Sequence, residues 1–255
     1  MGYTGTTMQL LDLTLSTPAE NLALDDALLE TAEQAGATAE VLRLWEAPQP
    51  AVVVGRSSQV AVEVDQEACR RLNIPVLRRA SGGAAVVVGP GCLMYALLLN
   101  CQQRPQLRLV TEAHRTVLDA LVQSLQPLIP GVRCLGTSDL AVGERKFSGN
   151  SLRCKRTHLL YHGTLLYDFP LELIARCLRQ PPRQPEYRQG RPHEAFVANV
   201  AVAAADLRRA LASSFQADEP LADWPQAATR RLAERYSRDE WNLQARALRQ
   251  WTDAS

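Results

Sequence analysis

The stretch Val76-Leu77-Arg78-Arg79-Ala80-Ser81-Gly82-Gly83-Ala84-Ala85-Val86-Val87-Val88-Gly89-Pro90-Gly91-Cys92 constrains this chain more than any other. An apolar run enters it, two arginines and a Ser-Gly-Gly turn interrupt it, and a second apolar run leaves toward a Gly-Pro-Gly corner. That layout predicts two strands joined by a loop of accessible backbone. Glycines lack the Cβ that blocks close approach, so successive N–H groups can converge on a phosphate or carboxylate while nearby guanidiniums supply charge and forked donors. The same residues also suit an ordinary tight hairpin, since the loop is neither a Walker loop nor a G-x-G-x-x-G element. Both readings stay open at this point.

Around this stretch the chain alternates helix and strand. Thr17 as N-cap, Pro18 at the first helical position and Glu20 completing a capping box predict a helix over 17–35, with Leu24, Ala27, Leu28 and Thr31 on one face. Val41 to Trp45 alternates as a strand does, and Ala51 to Gly55 is an unbroken apolar run suited to a strand covered on both faces. A short helix is expected over 65–72, a strand over 92–100, and a helix over 110–125 with Ala113, Val117, Ala120, Leu121 and Leu125 at helical spacing. The segment 131–169 is strand-rich. Residues 181–193 (PPRQPEYRQGRPH) carry too much proline for regular structure, and a loop that long reads as a lid or strap. Helices are expected over 201–211 and 225–236, with a last one beginning at Asp239-Glu240-Trp241. No repeat, low-complexity tract or linker divides the chain, so one domain over 1–255 is expected.

Composition narrows the function. With 46% hydrophobic and 22% charged residues, the 255-residue chain has the profile of a soluble globular protein. A formal net charge of +1 argues against a broad nucleic-acid or acidic-lipid surface, though a local basic cleft is compatible with it. No apolar run reaches membrane-spanning length and the N-terminus lacks the regions of a signal peptide, so a cytoplasmic protein with neither nucleic-acid nor membrane partners is expected. The six cysteines contain no C-x-x-C pair, so neither a zinc site nor a disulfide framework is indicated, and any catalytic cysteine must be argued singly.

A second constellation lies in Ser138-Asp139-Leu140-Ala141-Val142-Gly143-Glu144-Arg145-Lys146-Phe147-Ser148-Gly149. With Gly143 and Glu144 as a two-residue hairpin loop, Val142 pairs with Arg145, Ala141 with Lys146, Leu140 with Phe147 and Asp139 with Ser148. Cross-strand partners share a face, so Asp139, Ala141, Lys146 and Ser148 lie together, with carboxylate and ammonium about 7–8 Å apart on the diagonal. That separation leaves room for a bound group. The alternative is a solvated face with an ion pair worth at most about 1 kcal/mol. Taken alone, His162 reads as a hydrogen-bonded structural histidine rather than a catalytic base.

Together, several blocks resemble the lipoate–protein ligase and octanoyltransferase family, which shares its catalytic domain with biotin–protein ligases. They are Asn21-Leu22-Ala23-Leu24-Asp25, Arg43-Leu44-Trp45 with Val53-Val54-Gly55-Arg56, Arg78 to Ala84, Ser138-Asp139-Leu140, Arg145 to Asn150, His162 to Leu166, and Tyr236-Ser237 with Glu240-Trp241. The resemblance implies an α+β fold, a mixed sheet flanked by helices. It also implies transfer of a lipoyl or octanoyl group to one lysine of the lipoyl domains of 2-oxoacid dehydrogenase E2 subunits or of the glycine-cleavage H protein. In the ligases the acyl-adenylate is made from ATP with magnesium. Carried onto this chain, Lys146 holds the acyl carbonyl and α-phosphate, and Arg79, Ser81, Gly82 and Gly83 line the acyl and phosphate pocket. Ala84, Ser148, Gly149, Asn150, His162, Gly163 and Thr164 complete the substrate and nucleotide site, and Asp139 positions magnesium or Lys146.

The departures from the family's pattern are specific. Ala84 stands where a third glycine is usual, Ser138 where the ligases have Asn, and Val88-Gly89-Pro90-Gly91-Cys92 where a histidine motif commonly follows the glycines. The ligases' C-terminal accessory domain is not expected, which leaves room for an accessory chain or for an acyl carrier protein as donor. The biotin ligases' Gly-Arg-Gly-Arg-x-Gly loop is absent, which disfavours biotin. The nearest rival is a transferase that passes octanoate through a cysteine thioester, with Cys134 as nucleophile and Cys92 as a weaker candidate. A thiolate beside an ammonium would be activated by a lowered pKa. A rival of another class is a lipoyl-domain binder that has lost the chemistry.

Overall fold

Reciprocal capping starts the first helix. In the computed structural model, which describes residues 8–244, Glu20 N–H donates to Thr17 Oγ1 at 3.2 Å and Thr17 N–H donates to Glu20 Oε2 at 2.9 Å. From there α1 (Pro18–Ala35) runs to Gly36, which caps it in the left-handed region at φ 61°. Residues 1–7 and 245–255, part of the single domain expected from the sequence, lie outside the described residues.

Strands β1 (Met8–Asp12), β2 (Glu40–Glu46) and β3 (Ala51–Val54) precede two short helices, α2 (Val60–Glu63) and α3 (Gln66–Arg71). Next come β4 (Val76–Arg78), β5 (Val86–Val88), β6 (Cys92–Asn100) and α4 (Val110–Leu125), then a meander of β7 (Val132–Leu135), β8 (Asp139–Val142), β9 (Arg145–Cys154) and β10 (His158–Leu166). The remainder is α5 (Glu172–Cys177), α6 (His193–Phe196), α7 (Ala204–Phe215), β11 (Glu219–Pro220), α8 (Gln226–Tyr236) and α9 (Asp239–Asn242). An eight-stranded mixed sheet is ordered β11-β1-β2-β6-β10-β9-β8-β7, and a three-stranded sheet β4-β3-β5 packs beside it. The fold is α+β, a mixed sheet flanked by helices.

Strand alternation distributes the core. Leu93, Tyr95, Leu97 and Leu99 of β6 and Tyr161 and Leu165 of β10 face α4 and α7. The other face carries Ala96, Leu98 and Leu160 against α1, and Met94 and Leu166 against the small sheet. Ala113, Val117, Leu121 and Leu125 of α4 are fully buried. At about 1.5–3 kcal/mol for each larger side chain removed from water, this stripe alone fixes α4 on the sheet. β3 is buried at every position, as an unbroken apolar run requires. No helix of the described residues is long and apolar enough to cross a membrane.

Three expectations need correction. β4 and β5 do not form a hairpin. Both pair with β3, β4 in parallel (Val52 with Val76) and β5 antiparallel (Val52 with Val87), so the Ser-Gly-Gly loop crosses the end of β3. The helix expected over 201–211 is α7, shifted to Ala204–Phe215, because the chain before it is docked on the sheet through Val200 N–H to Leu166 O at 2.9 Å. In the β8–β9 hairpin, Val142 pairs with Arg145 and Ala141 with Lys146 as expected, but a bulge follows. Leu140 then pairs with Ser148 and Asp139 with Gly149, leaving Phe147 as the extra residue. Beside the bulge, Ala198 N–H donates to Lys146 O at 2.9 Å, so the returning chain occupies the strand edge there.

Candidate active site

Between the two sheets lies a cavity of about 490 Å³. Met94, His162, Thr164 and Leu166 of the large sheet form one side, Val53 and residues 83–87 another, and Lys146 to Ser151 a third. Residues 178–197, including the proline-rich strap, close over it.

The glycine loop is shaped by one buried guanidinium. Arg79 donates from Nη1 to Val53 O at 3.0 Å, from Nη2 to Gly82 O at 2.5 Å and Ala84 O at 3.0 Å, and from Nε to Gly82 O at 3.1 Å. Its donors thus gather the loop's carbonyls, a positioning role. Burial lowers its pKa to about 10, with Glu63 partly offsetting, so it stays charged at neutral pH. Ala85 N–H is held by Glu63 Oε2 at 2.7 Å, whereas the amides of Gly82, Gly83 and Ala84 have no protein acceptor among the described residues. Gly83 and Ala84 line the cavity, so their amides, which lack a protein acceptor, are available to an anion there, whereas the amide of Gly82, expected beside that of Gly83, is not in the lining. Close approach makes Gly55 indispensable here, because a Cβ on it would stand 2.0 Å from Gly83 O.

Ser81 and Gly82 are not in the cavity lining. Ser81 Oγ lies 2.6 Å from His162 Nε2, behind the loop. Burial, then the charge of Arg79, pushes the His162 pKa down to about 3, so its ring is neutral and serves as Ser81's hydrogen-bond partner while lining the cavity. Gly163 gives room to Asn150, whose Oδ1 would be 1.8 Å from a Cβ there and accepts from Tyr95 OH. Asn150 Nδ2 in turn donates to Ser138 O at 2.8 Å and Ser148 Oγ at 3.2 Å, and Gly149 N–H donates to Thr164 Oγ1 at 3.3 Å.

Lys146 faces the cavity, but the 7–8 Å gap expected beside it is closed. The long lysine side chain places Lys146 Nζ 2.7 Å from Asp139 Oδ1, lying over Gly149, where a Cβ would be 2.8 Å from Nζ. Tyr187 OH, from the strap, donates to Asp139 Oδ2 at 2.8 Å. Both Asp139 oxygens are therefore engaged, and among the described residues no three His, Cys, Asp or Glu side chains are grouped to hold a metal ion. This donor set does not suit a resident magnesium, and Asp139 is better read as the partner that positions Lys146.

Cys134 is across from Leu140, on the sheet face that packs against α4, opposite the face carrying Asp139 and Ala141. The residue is exposed at the sheet edge, and partial desolvation of its thiol, then Asp139, raises its pKa rather than lowering it. Cys92 is fully buried outside the cavity lining, and burial raises its thiol as well. Sequence reasoning missed Glu63, Tyr187 and Arg188. Arg188 is only 3% exposed, donates from Nε to Arg191 O at 3.0 Å and lies over the Phe196 ring at 4.7 Å. It lines the cavity with Arg179 and Arg183, and none of the three has a carboxylate in salt-bridge range among the described residues. The cluster of arginines in 179–191 was the legible signal for them.

Residues 17–216 match the family model "Lipoyl protein ligase A/B catalytic domain". The chain is similar to a putative lipoate-protein ligase A of Aeropyrum pernix, 34% identical over 66% of this chain and 61% of that protein. It is also similar to the octanoyltransferase LipM of an Exiguobacterium species, 27% identical over 76% of this chain and 78% of that one. It spans about half the length of most of the curated lipoate–protein ligases it matches. Among solved structures, the fold is shared with a bi-partite lipoate protein ligase of Thermoplasma acidophilum, described with its E2 lipoyl domain, at a TM-score of 0.80, 23% identity, 96% coverage of this chain and 100% of that chain. With the family model spanning most of its length, the chain belongs to the lipoyl protein ligase A/B catalytic domain family.

Proposed function

We propose that this protein attaches a lipoyl or octanoyl group to one lysine of a lipoyl carrier domain, through an acyl-adenylate made from ATP. The observation that carries this reading is the mixed lining of one cavity. Leu22, Val53, Met94, Leu166, Ile174 and Leu178 offer an apolar bed, while the free amides of Gly83 and Ala84, the ammonium of Lys146 and the guanidiniums of Arg179, Arg183 and Arg188, which have no carboxylate partner among the described residues, offer cationic and N–H donors. An acyl chain fits the first set and an activated phosphoryl–carboxyl junction the second.

In this reading Lys146 swings from Asp139 to the acyl oxygen and stabilises the charge that develops as the acceptor amine attacks, usually the largest catalytic term. The free amides and Arg188 hold the phosphate, and the strap excludes water. Magnesium, where needed, arrives with the nucleotide phosphates. Residues 1–255 serve as one catalytic unit, and the bi-partite neighbour supports an accessory function on a separate chain. Similarity to an octanoyltransferase supports octanoate as an alternative acyl group. A thioester through Cys134 is disfavoured by its position on the other sheet face.

The test is mass spectrometry of an apo lipoyl domain, and in parallel an apo H protein, incubated with this protein and either lipoate plus ATP or octanoyl carrier protein. The expected result is a one-group mass gain on a single acceptor lysine that requires ATP. No gain with either donor would overturn the reading, and a gain from octanoyl carrier protein without ATP would overturn the adenylate route.

A further inference from the structure

The strap is fastened at both ends. Arg179 N–H donates to Glu63 O at 2.9 Å on one side of the cavity, and Arg191 Nη2 donates to Glu144 O at 3.1 Å on the other. Between these anchors the turn Glu186–Arg188 sets Tyr187 against the β8–β9 hairpin. Its ring packs on Phe196, with centroids 5.2 Å apart, and on Gly136, where a Cβ would come within 3.5 Å of Cε1. Its hydroxyl donates to Asp139 Oδ2 at 2.8 Å, while Lys146 Nζ takes Oδ1 at 2.7 Å. One largely buried carboxylate thus joins the strap to the lysine.

We propose that Tyr187 is a positioning residue that acts on Lys146 through Asp139, a role that rests on the transfer chemistry given above for Lys146. Two consequences follow from the shared carboxylate. With the phenol on Oδ2, part of the Asp139 charge is already satisfied, so its hold on the ammonium is weaker than that of a carboxylate with a single donor. When the ammonium turns toward an acyl oxygen, Asp139 keeps a partner and does not become a lone buried charge, which is the costly state. Tyr187 thereby lowers the barrier to handing Lys146 from the carboxylate to the substrate, and does so only while the strap is closed.

Tyr187→Phe removes the hydroxyl and keeps the ring that seats the strap. Transfer kinetics should show kcat lowered about tenfold with KM for the acyl substrate unchanged, the size expected for losing one charge-assisted hydrogen bond in the reacting state. A second readout needs no turnover. Lys146 and Lys155 are the only lysines of the chain, so labelling with a small water-soluble succinimidyl ester, read by peptide mass spectrometry, gives the Lys146 rate with Lys155 as internal control. In Tyr187→Phe the Lys146:Lys155 labelling ratio should fall severalfold, because the ion pair tightens. In an Asp139→Asn background the same hydroxyl removal should change nothing, the signature of action through that carboxylate. An unchanged or increased ratio in Tyr187→Phe, or an equal fall in the Asp139→Asn background, would overturn the proposal, and this holds even if the wild-type protein transfers no acyl group.

Discussion

Gly55→Ala is the sharpest perturbation of the glycine loop that leaves every charged group in place. The new Cβ would stand 2.0 Å from Gly83 O and 3.1 Å from the carbonyl carbons of Gly82 and Gly83, all backbone atoms with no flexible end to swing aside. Restoring an ordinary contact of roughly 3.4 Å requires the Gly83 peptide to move by more than about 1 Å. That shift strains Arg56 N–H to Ser81 O at 2.8 Å and Ser58 Oγ–H to Gly83 O at 3.1 Å. Overpacking of this kind costs about 1–3 kcal/mol, a fall in Tm of roughly 2–10 °C for a chain of this size. A 1 Å displacement of a binding loop costs roughly a hundredfold in rate. Thermal unfolding and ATP-dependent acylation, measured together, should show the rate falling further than stability alone explains. Gly82→Ala is the control, since a Cβ there meets nothing within 4 Å and should change little. Wild-type acylation by Gly55→Ala, or equal damage from the two variants, would refute the placement of this loop.

Other outcomes follow from the same geometry. Cys134→Ala should keep ATP-dependent transfer within about twofold of wild type, because the thiol stands on the sheet face opposite Asp139 and its pKa is raised, not lowered. A complete loss of transfer with folding intact would restore the thioester route. The His162 pKa lies at about 3 in the folded protein against the ordinary 6.5, so the unfolded chain takes up the proton first. Stability from this group is complete above pH 6.5 and falls as pH drops from there toward 3, by on the order of 1 kcal/mol per pH unit for one proton. His162→Gln should flatten that part of the stability–pH curve in denaturant titrations, and an unaltered slope would contradict a buried neutral imidazole.

How much the sequence revealed depends on range. The capping box at Thr17 and Glu20, the buried run of β3 and the stripe on α4 are local patterns, and each formed as its spacing predicts. Pairing across the chain was not legible in the same way. The stretch from Val76 to Cys92 gave two strands and a loop, but not that both strands pair with β3, since β3 lies more than twenty residues upstream. The hairpin rule placed Ala141 beside Lys146 correctly and failed beyond it. The bulge lies beside Val197 and Ala198, residues distant in sequence that occupy the strand edge, and the Lys146 side chain closes the expected gap to Asp139 to 2.7 Å. Glu63, Tyr187 and Arg188 escaped for a related reason. Each acts through a partner chosen by the fold, and none sits in a motif with its own chemical signature.

The most direct measurement is acylation of an apo lipoyl domain by Lys146→Met, with binding of a non-hydrolysable lipoyl-adenylate mimic followed in parallel by calorimetry. Methionine keeps most of the side-chain length and removes the charge. Transfer should fall at least a hundredfold, the usual cost of deleting a group that stabilises developing oxygen charge, while the mimic still binds in the cavity. Undiminished transfer by this variant would contradict the assignment of Lys146 as the residue that grips the acyl oxygen.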